Sequence, residues 1–475
     1  MKRSKGLLFL HFVFFILNCV PVHAADWKEM RSVPVQHNGR IKPFDSFARQ
    51  TLKFVAGKED WQKEDPTQFM SGMLAQPSKI ADVPWIRAEY TELKNTLKLA
   101  QDRRFFSLNE LTPLRKDLED LVQSAKDKRD RDLRPLKLEQ KAEELYSKVR
   151  TVEALISGES FRKLPPAGLS RTRLDLELLY HRLKPFEQAA ILYFIAFLIF
   201  LLPKKGAWRG KTGAWLVLSA FLFHTLGLAS RVYILSRPPV SNMYESMIFM
   251  NWALVAFTLL FRLRGGPDTL LGAGAAVSGF VMLYANLLPI DSSLDVVVAV
   301  LRSNYWLTIH VLTIVSSYGA FGLAMGLGHR HLFLSSVGNL SKKSAHDSAE
   351  LIFRILQLGT LLVGTGTFLG GVWANESWGR FWGWDPKETW ALITFLGYLV
   401  VVHLKYAKKI TDFYLALSSV VGFQLVLMTW YGVNFVLGRG LHSYGAGSGG
   451  MQWVIYFLLF ETVFVGWALL RRFLK

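Results

Sequence analysis

Five tryptophans fall within eighteen residues of this chain, at Trp373, Trp378, Trp382, Trp384 and Trp390. Each indole has a large flat apolar face and one N–H donor, so a cluster of them suits a broad, flat, partly charged ligand. An aromatic belt at a membrane surface is the alternative interpretation, because membrane proteins often place tryptophan there. A belt requires no fixed spacing, whereas this cluster contains Gly-Arg-Phe and Trp-Asp-Pro segments, which favours a ligand site.

The order of residues within this cluster resembles a known signature. The pattern W-G-x-x-W-x-W-D-x-x-E is formed by Trp378, Gly379, Trp382, Trp384, Asp385 and Glu388. It is similar to the tryptophan-rich WWD signature of CcsA (also called ResC), CcmC and CcmF, the haem-handling proteins of cytochrome c biogenesis. The resemblance implies that residues 373–390 form a loop that presents haem outside the membrane. It also implies that the signature tryptophans and Asp385 belong to the catalytic site.

Two histidines are predicted to lie on the same side of the membrane as the tryptophan cluster, given the apolar runs and the orientation described below. His310 is near the outer end of an apolar run, and His442 is in the outer loop before the last run. Neutral imidazole is a preferred axial ligand of haem iron. Together with the tryptophans, His310 and His442 therefore predict a bis-histidine site, although a lone surface histidine is often only a hydrogen-bonding residue.

Two further histidines, His224 and His403, fall inside apolar runs. Ionisable groups in hydrocarbon are costly and usually mark a pathway or a ligand site. An interhelical hydrogen bond is the alternative for such residues. Arg231 lies two helical turns beyond His224 and could pair with a haem propionate, and so could Arg439 in the outer loop.

Further segments look like those of CcsA, in the family's order, over about residues 212–453. They are His224, Arg237–Ser246, Trp306–His310, His403 and Gly440–Gly445. The resemblance implies that His224 and His403 hold a b-type haem in transit, and that His310 and His442 ligate it at the attachment site. A minimal CcsA lacks a leading domain such as residues 26–185.

Nine apolar runs must position these residues. Each approaches the ~20 residues that cross a bilayer as a helix, and they lie at about 187–203, 212–236, 244–262, 268–288, 305–328, 352–374, 389–406, 412–437 and 453–470. Lysine and arginine concentrate in the loops at one end of these runs. By the positive-inside rule the tryptophan cluster lies outside the membrane. We therefore predict an all-α polytopic membrane protein.

The charge and composition of the chain agree with this class. The net charge is +19, and 51% of the residues are hydrophobic, which excludes a simple soluble globule. Residues 26–185 hold 31 basic and 25 acidic side chains, so most of the positive excess lies in the membrane part. We attribute it to the positive-inside rule and predict no nucleic-acid partner.

The region before the apolar runs divides into two parts. Residues 1–25 resemble a signal peptide or signal anchor, and they contain Cys19, the one cysteine of the chain. Residues 26–185 predict an exported helical domain, followed by the membrane domain at 186–475. Within it, Leu138, Ala142, Leu145, Val149, Val152 and Ile156 share one helix face. That face suits either a partner or, as we favour, a helical hairpin that packs on itself.

What the resemblance implies about function is covalent attachment of haem to the Cys-x-x-Cys-His motif of apocytochrome c, after delivery of haem across the membrane. The protein would be a cytochrome c haem lyase of the bacterial inner membrane. It would act with a CcsB (ResB)-type partner and a thioredoxin-like thiol reductant. Two alternatives remain open: a haem chaperone or exporter without lyase activity, and an assembly subunit without catalytic function.

Overall fold

The computed structural model describes residues 27–131, 133, 135–165, 170–203, 208–288, 290, 292–295, 303–437 and 450–474. The chain forms two compact units, Met1–Leu178 and Leu179–Lys475. The sequence placed the boundary seven residues later, after residue 185. The predicted signal segment, Arg439 and His442 lie outside the described residues.

Short strands hold together the start of the N-terminal unit. Strand β1 (Pro34–His37) pairs antiparallel with β2 (Arg40–Pro43). The turn between them, Asn38–Gly39, has φ values of 49° and 71°, as a tight two-residue hairpin requires. Strand β5 (Arg162–Lys163) adds to the other edge of β1. The strand pair β3 (Ile86–Arg87) and β4 (Phe105–Phe106) lies elsewhere in the unit.

The rest of the N-terminal unit is helical, as predicted. Its helices are α1 (Trp27–Arg31), α2 (Phe44–Ala56), α3 (Pro66–Ala75), α4 (Pro77–Ile80), α5 (Thr91–Thr96), α6 (Leu108–Leu111), α7 (Arg115–Asp130) and α8 (Lys137–Ile156). Helices α7 and α8 pack against each other, and Glu139 of α8 accepts hydrogen bonds from Ser124 and Lys128 of α7, both at 2.6 Å. The predicted apolar face of α8 is buried in this unit's core. The hairpin interpretation is confirmed.

Nine helices in the described part of the chain are long and apolar enough to cross a membrane. The helices that form these spans are α9 (Arg171–Leu183), α10 (Pro185–Leu201), α11 (Trp208–Leu235), α12 (Met243–Leu263), α13 (Asp268–Leu287), α14 (Asn304–Trp306), α15 (Leu312–Ser336), α16 (Lys342–Trp378), α17 (Pro386–Tyr406), α18 (Asp412–Leu427) and α19 (Met451–Phe473). Helices α9 and α10 supply one span. A π-helical turn (Leu307–Val311) joins α14 to α15, and another (Met428–Leu437) extends α18. The prediction of an all-α polytopic membrane protein is confirmed.

Several spans extend beyond their apolar runs, including the two that frame the tryptophan cluster. The predicted span 305–328 continues to Ser336, and the predicted span 352–374 begins at Lys342 and ends at Trp378. Polar residues extend both helices because the sequence places no proline or turn signal there. A span that ended at residue 328 would leave His329 and His331 in a loop, but both lie within α15. His331 is buried, and His329 Nε2 lies 3.0 Å from Glu461 Oε1 of the last span.

The packing of two long spans positions the tryptophan cluster. Helix α15, which continues the segment that carries His310, packs along α16, which leads into the cluster. Consecutive spans cross the membrane in opposite directions, so the start of one at Asn304 and the end of the other at Trp378 fall at the same surface. The start of α14 and the end of α16 therefore form the frame of the candidate site.

Candidate functional site

The tryptophan segment is not one loop. Helix α16 continues through Trp373 and Trp378 and ends only at Gly379, whose φ of 69° lets its N–H donate to the Asn375 carbonyl at 2.9 Å. A left-handed glycine is a common way to end a helix. Since α17 starts at Pro386, the loop itself spans residues 379–385, and the predicted loop over 373–390 is too long.

The acidic residues of the signature cap a helix. The Asp385 side chain accepts from the Lys387 N–H at 2.8 Å, and Glu388 Oε2 accepts from the backbone N–H groups of Asp385 at 3.1 Å and Gly383 at 2.8 Å. This is a capping box at the start of α17. The W-D-x-x-E part of the signature thus fixes the loop to the helix. A catalytic role for Asp385 stays a prediction.

Two tryptophans of the loop, Trp382 and Trp384, form a right-angled pair, which we call the tryptophan corner. The rings of Trp382 and Trp384 lie edge to face, with centroids 5.9 Å apart and planes at 87°. Trp384 is 71% exposed and has a φ of 58°, a left-handed conformation that costs a non-glycine residue about 1–2 kcal/mol. Backbone strain of this kind concentrates at functional sites. Trp378 is half-buried and Trp373 is buried.

Phe381 anchors the loop to α16. Its ring lies against Gly371, where an added Cβ would come within 2.6 Å of the ring, and its centroid is 5.7 Å from that of Phe368. Only a residue without a side chain admits a ring this close to the helix. The position of the tryptophan corner relative to α16 is therefore set by contacts within the segment itself.

His310 lies beside the last turns of α16, within the π-helical turn. Its Nδ1 is 2.8 Å from the Gly366 carbonyl, and its ring centroid is 5.6 Å from that of Trp373. Because a carbonyl only accepts, Nδ1 carries the proton and Nε2 carries the lone pair that a metal ligand needs. Gly370 makes room for the imidazole, since a Cβ there would approach His310 Cε1 to 2.7 Å. The structure thus brings His310 to the tryptophan segment, as the sequence predicts.

A second contact ties the same two helices, and sequence reasoning missed it. The Trp306 indole N–H donates to Glu376 Oε2 at 2.7 Å. Trp306 is buried, whereas Glu376 is exposed in the last turn of α16. Both residues lie inside segments that the sequence analysis had singled out, which was the available signal.

His224 has a different environment. It is fully buried, its Nε2 lies 3.1 Å from the Ile248 carbonyl of α12, and its Nδ1 lies 3.4 Å from the Tyr193 hydroxyl of α10. Here Nε2 carries the proton and Nδ1 the lone pair, the reverse of His310. The structure therefore shows the interhelical hydrogen bond that was the alternative to a haem ligand.

His403 is exposed on α17, and its Nδ1 lies 2.8 Å from the Leu399 carbonyl of the same helix. Its neighbours Val402 and Tyr406 line a groove of about 470 Å³ between α16 and α17. His224 and His403 are both among the described residues, and they make no contact with each other. The structure does not bring the predicted transit pair together.

Arg231 is buried in a charged network. Its five N–H groups all donate to protein acceptors: Glu245 Oε1, the Tyr180 hydroxyl, and the carbonyls of Ser292 and Ser293. Arg237 donates to Glu245 Oε2 at 2.8 Å on the other side of the carboxylate. Propionate binding by Arg231 stays a prediction, and it would compete with these bonds.

Comparisons with known proteins address the same residues. The family described as "Cytochrome C assembly protein" matches residues 240–442, which contain the tryptophan segment, His310, His403 and His442. CcsA of Pyropia yezoensis is 32% identical over 321 residues, covering 57% of this chain and 99% of that protein. CcsA of Parasynechococcus marenigrum is 35% identical over 300 residues, covering 55% and 97%. This chain belongs to the CcsA family.

A longer relative extends beyond the CcsA-like region. Protein NrfI of Wolinella succinogenes is 31% identical over 490 residues, covering 86% of this chain and 53% of NrfI. The chain thus spans about half the length of NrfI. A match to 86% of the chain is more than residues 179–475 can supply, so it reaches into the N-terminal unit. Among solved structures, the cytochrome c haem lyase CcmF aligns with a TM-score of 0.39 at 14% identity, too low to support an inference.

Proposed function

We propose that this CcsA-family chain binds b-type haem at the outer surface of the membrane and attaches it to the Cys-x-x-Cys-His motif of apocytochrome c. The observation that carries the proposal is the position of His310. Its Nδ1–H is committed to the Gly366 carbonyl, which puts the lone pair on Nε2, and it lies beside the tryptophan segment. An axial iron ligand beside a segment that also carries an exposed indole, Trp384, suits haem as a substrate.

The other requirements of haem fit residues of the same surface. Trp384 offers an exposed indole face, and Trp382 stands at a right angle to it, so the corner can contact both a face and an edge of the macrocycle. We propose His442 as the second axial ligand and Arg439 as a partner for a propionate. Arg231 is a weaker candidate because Glu245 already binds its guanidinium.

The attachment chemistry requires little from the chain besides orientation. Each client thiol adds across a haem vinyl group: an S–C bond forms, and the thiol hydrogen ends on the other vinyl carbon, with no change in total oxidation state. The chain need supply no nucleophile, in keeping with its single cysteine, Cys19. Holding the vinyl edge and the client motif together converts a bimolecular reaction into an effectively unimolecular one.

Delivery of haem to this surface is the second part of the proposal. We assign His224 and His403 to haem in transit, with His403 exposed next to the groove between α16 and α17. To ligate iron through its Nδ1 lone pair, His224 would have to displace the Tyr193 hydroxyl, and through Nε2 it would have to release the Ile248 carbonyl. Ionisable residues inside apolar spans favour such a pathway.

We further propose that the protein lies in a bacterial inner membrane with the tryptophan segment outside, as the distribution of basic residues in the loops favours. The partners we propose are a CcsB (ResB)-type membrane protein, apocytochrome c and a thioredoxin-like reductant that keeps the client thiols free. A client disulfide could not add to vinyl groups without prior reduction.

The test is to purify the full chain with its CcsB-type partner and to measure both bound haem and haem covalently attached to a co-expressed client. We expect a b-type spectrum with two nitrogen ligands, and client haem that survives denaturing electrophoresis. Bound haem without covalent product would favour the chaperone alternative. Colourless protein from haem-replete cells would contradict the proposal and leave a structural subunit.

A further inference from the structure

The orientation of His310 depends on more than its own hydrogen bond. The imidazole lies on a π-helical turn, Leu307–Val311, and this turn holds one more residue than an α-helical turn. If it relaxed to α-helix, the residues before and after it would rotate relative to each other. His310 would then turn away from the Gly366 carbonyl. The π-helical turn therefore keeps His310 in place only if a contact holds the residues before it against the neighbouring helix.

The Trp306–Glu376 hydrogen bond is placed to do this. Trp306 precedes the π turn directly and lies four residues before His310, while Glu376 lies ten residues after Gly366 on the same helix, α16. The 2.7 Å bond therefore fixes the residue in front of the π turn to the helix that supplies the histidine's acceptor. The same last turn of α16 leads into the tryptophan loop at Gly379.

The exposure of the two partners agrees with this role. Trp306 is only 5% exposed, so packing alone already holds most of its ring, yet its N–H reaches a carboxylate on the exposed side of α16. An ionised acceptor makes a stronger and more directional bond than a neutral one. A directional bond of this kind can fix the rotation of the helix about its own axis at Trp306, whereas burial of the ring fixes only how closely the helix packs.

We infer that Glu376, through Trp306, is a positioning residue that sets the orientation of His310 toward haem. The inference rests on the proposed function. It predicts that loss of the bond changes the iron ligation by His310, and not only the stability of the protein.

The experiment compares Glu376→Ala, Glu376→Gln and Trp306→Phe in the full chain with its partner. The matched control is Glu350→Ala, because Glu350 lies on the same helix and binds Lys405 at 3.0 Å, roughly 24 Å along the helix from the Gly366 carbonyl that orients His310. The readouts are the absorption spectrum and reduction potential of bound haem, with client maturation as a third. Protein amount and size-exclusion profile report folding.

We expect Glu376→Ala and Trp306→Phe each to convert part of the haem to a five-coordinate or high-spin form, and to lower maturation by up to about 10–100-fold, the range for losing a group that orients a metal ligand. Glu376→Gln keeps an acceptor oxygen and should retain most of the wild-type spectrum. Glu350→Ala should match wild type. The double variant should be no worse than either single one, because both changes remove the same bond.

A wild-type spectrum and potential in Trp306→Phe would overturn the inference, even if Glu376→Ala fails to fold. Equal spectral change in Glu350→Ala would also overturn it, since a general effect on α16 would then be responsible. Failure of the proposed function itself looks different: wild type would then contain no haem and mature no client.

Discussion

Two histidines in the membrane unit, His310 and His224, have opposite hydrogen-bonding arrangements. At His310 the carbonyl of Gly366 accepts from Nδ1–H, and the ring is half-buried near the N-terminal end of its span. At His224 the carbonyl of Ile248 binds Nε2–H, and the ring is fully buried between helices. The residue type is the same, and the packed environment decides which nitrogen keeps its lone pair and whether a ligand can approach it.

The same contrast holds for charged groups. At the C-terminal end of α11, Arg231 and Arg237 enclose Glu245, and protein acceptors close the network. At the end of α16, the loop instead exposes Trp384 in a strained conformation. One region satisfies its polar groups internally and holds helices together, while the other leaves an indole face exposed. Substitutions should separate the two.

The largest effect on stability should come from the charged network. Glu245→Ala leaves two buried guanidinium groups without a counter-charge, which should destabilise the protein by about 3–5 kcal/mol. Thermal unfolding followed by size-exclusion chromatography of detergent-solubilised protein measures this. Glu187→Ala is the control, because Glu187 belongs to an exposed ion pair with Lys184 and should change little. Normal stability of Glu245→Ala would show that the network does not hold these helices.

Substitution of the buried His224 and of the exposed His403 should have different effects on stability but the same effect on haem delivery. His224→Ala removes a buried ring and its bonds and should cost about 1–3 kcal/mol, whereas His403→Ala should stay within about 0.5 kcal/mol. If both hold haem in transit, each variant should lower haem at the outer site at equal protein amounts, as measured by pyridine haemochrome. Equal haem occupancy in the double variant and wild type would show that neither His224 nor His403 holds haem in transit.

Substitution of Asp385 tests whether this carboxylate only caps helix α17 or also takes part in the chemistry. Asp385→Ala should destabilise the protein by about 1 kcal/mol, while Asp385→Asn keeps an oxygen acceptor and should be close to neutral. Client maturation should follow the same order. Loss of maturation in a well-folded Asp385→Asn would mean that the carboxylate acts in the chemistry beyond its role at the start of α17.

The smallest effect is expected at Trp384, where one substitution should raise the stability of the fold and lower its affinity for haem. Trp384→Gly relieves a left-handed conformation and should stabilise the fold by about 1 kcal/mol. It also removes an exposed indole face, so haem affinity should fall by roughly 1 kcal/mol or more, several-fold in Kd. Haem titration and thermal unfolding of one preparation measure both. Unchanged affinity would exclude Trp384 from the haem surface.

The sequence predicted the parts of the fold that depend on local patterns. Apolar length alone located all nine spans found among the described residues, and the 3–4 spacing of α8 located a self-packing hairpin. The proximity of His310 to the tryptophan segment followed from counting membrane crossings. Each of these inferences uses only chain order and periodicity.

The sequence could not show features that depend on pairing between distant segments. The Arg231–Glu245 network closes through carbonyls of Ser292 and Ser293, more than sixty residues from Arg231. The proton positions on His224 and His310 depend on which carbonyl each ring meets. The length of α16 was misjudged because an apolar-run criterion stops at polar residues that a helix readily includes.

The central claim, that His310 ligates haem iron through Nε2, is tested most directly by the spectrum of His310→Gly with and without imidazole. The substitution removes the ligand and leaves a cavity the size of an imidazole ring. Purified with its partner, the variant should lose the two-nitrogen low-spin spectrum and client maturation, and added imidazole should restore part of both. A wild-type spectrum and full maturation in His310→Gly without imidazole would contradict the account.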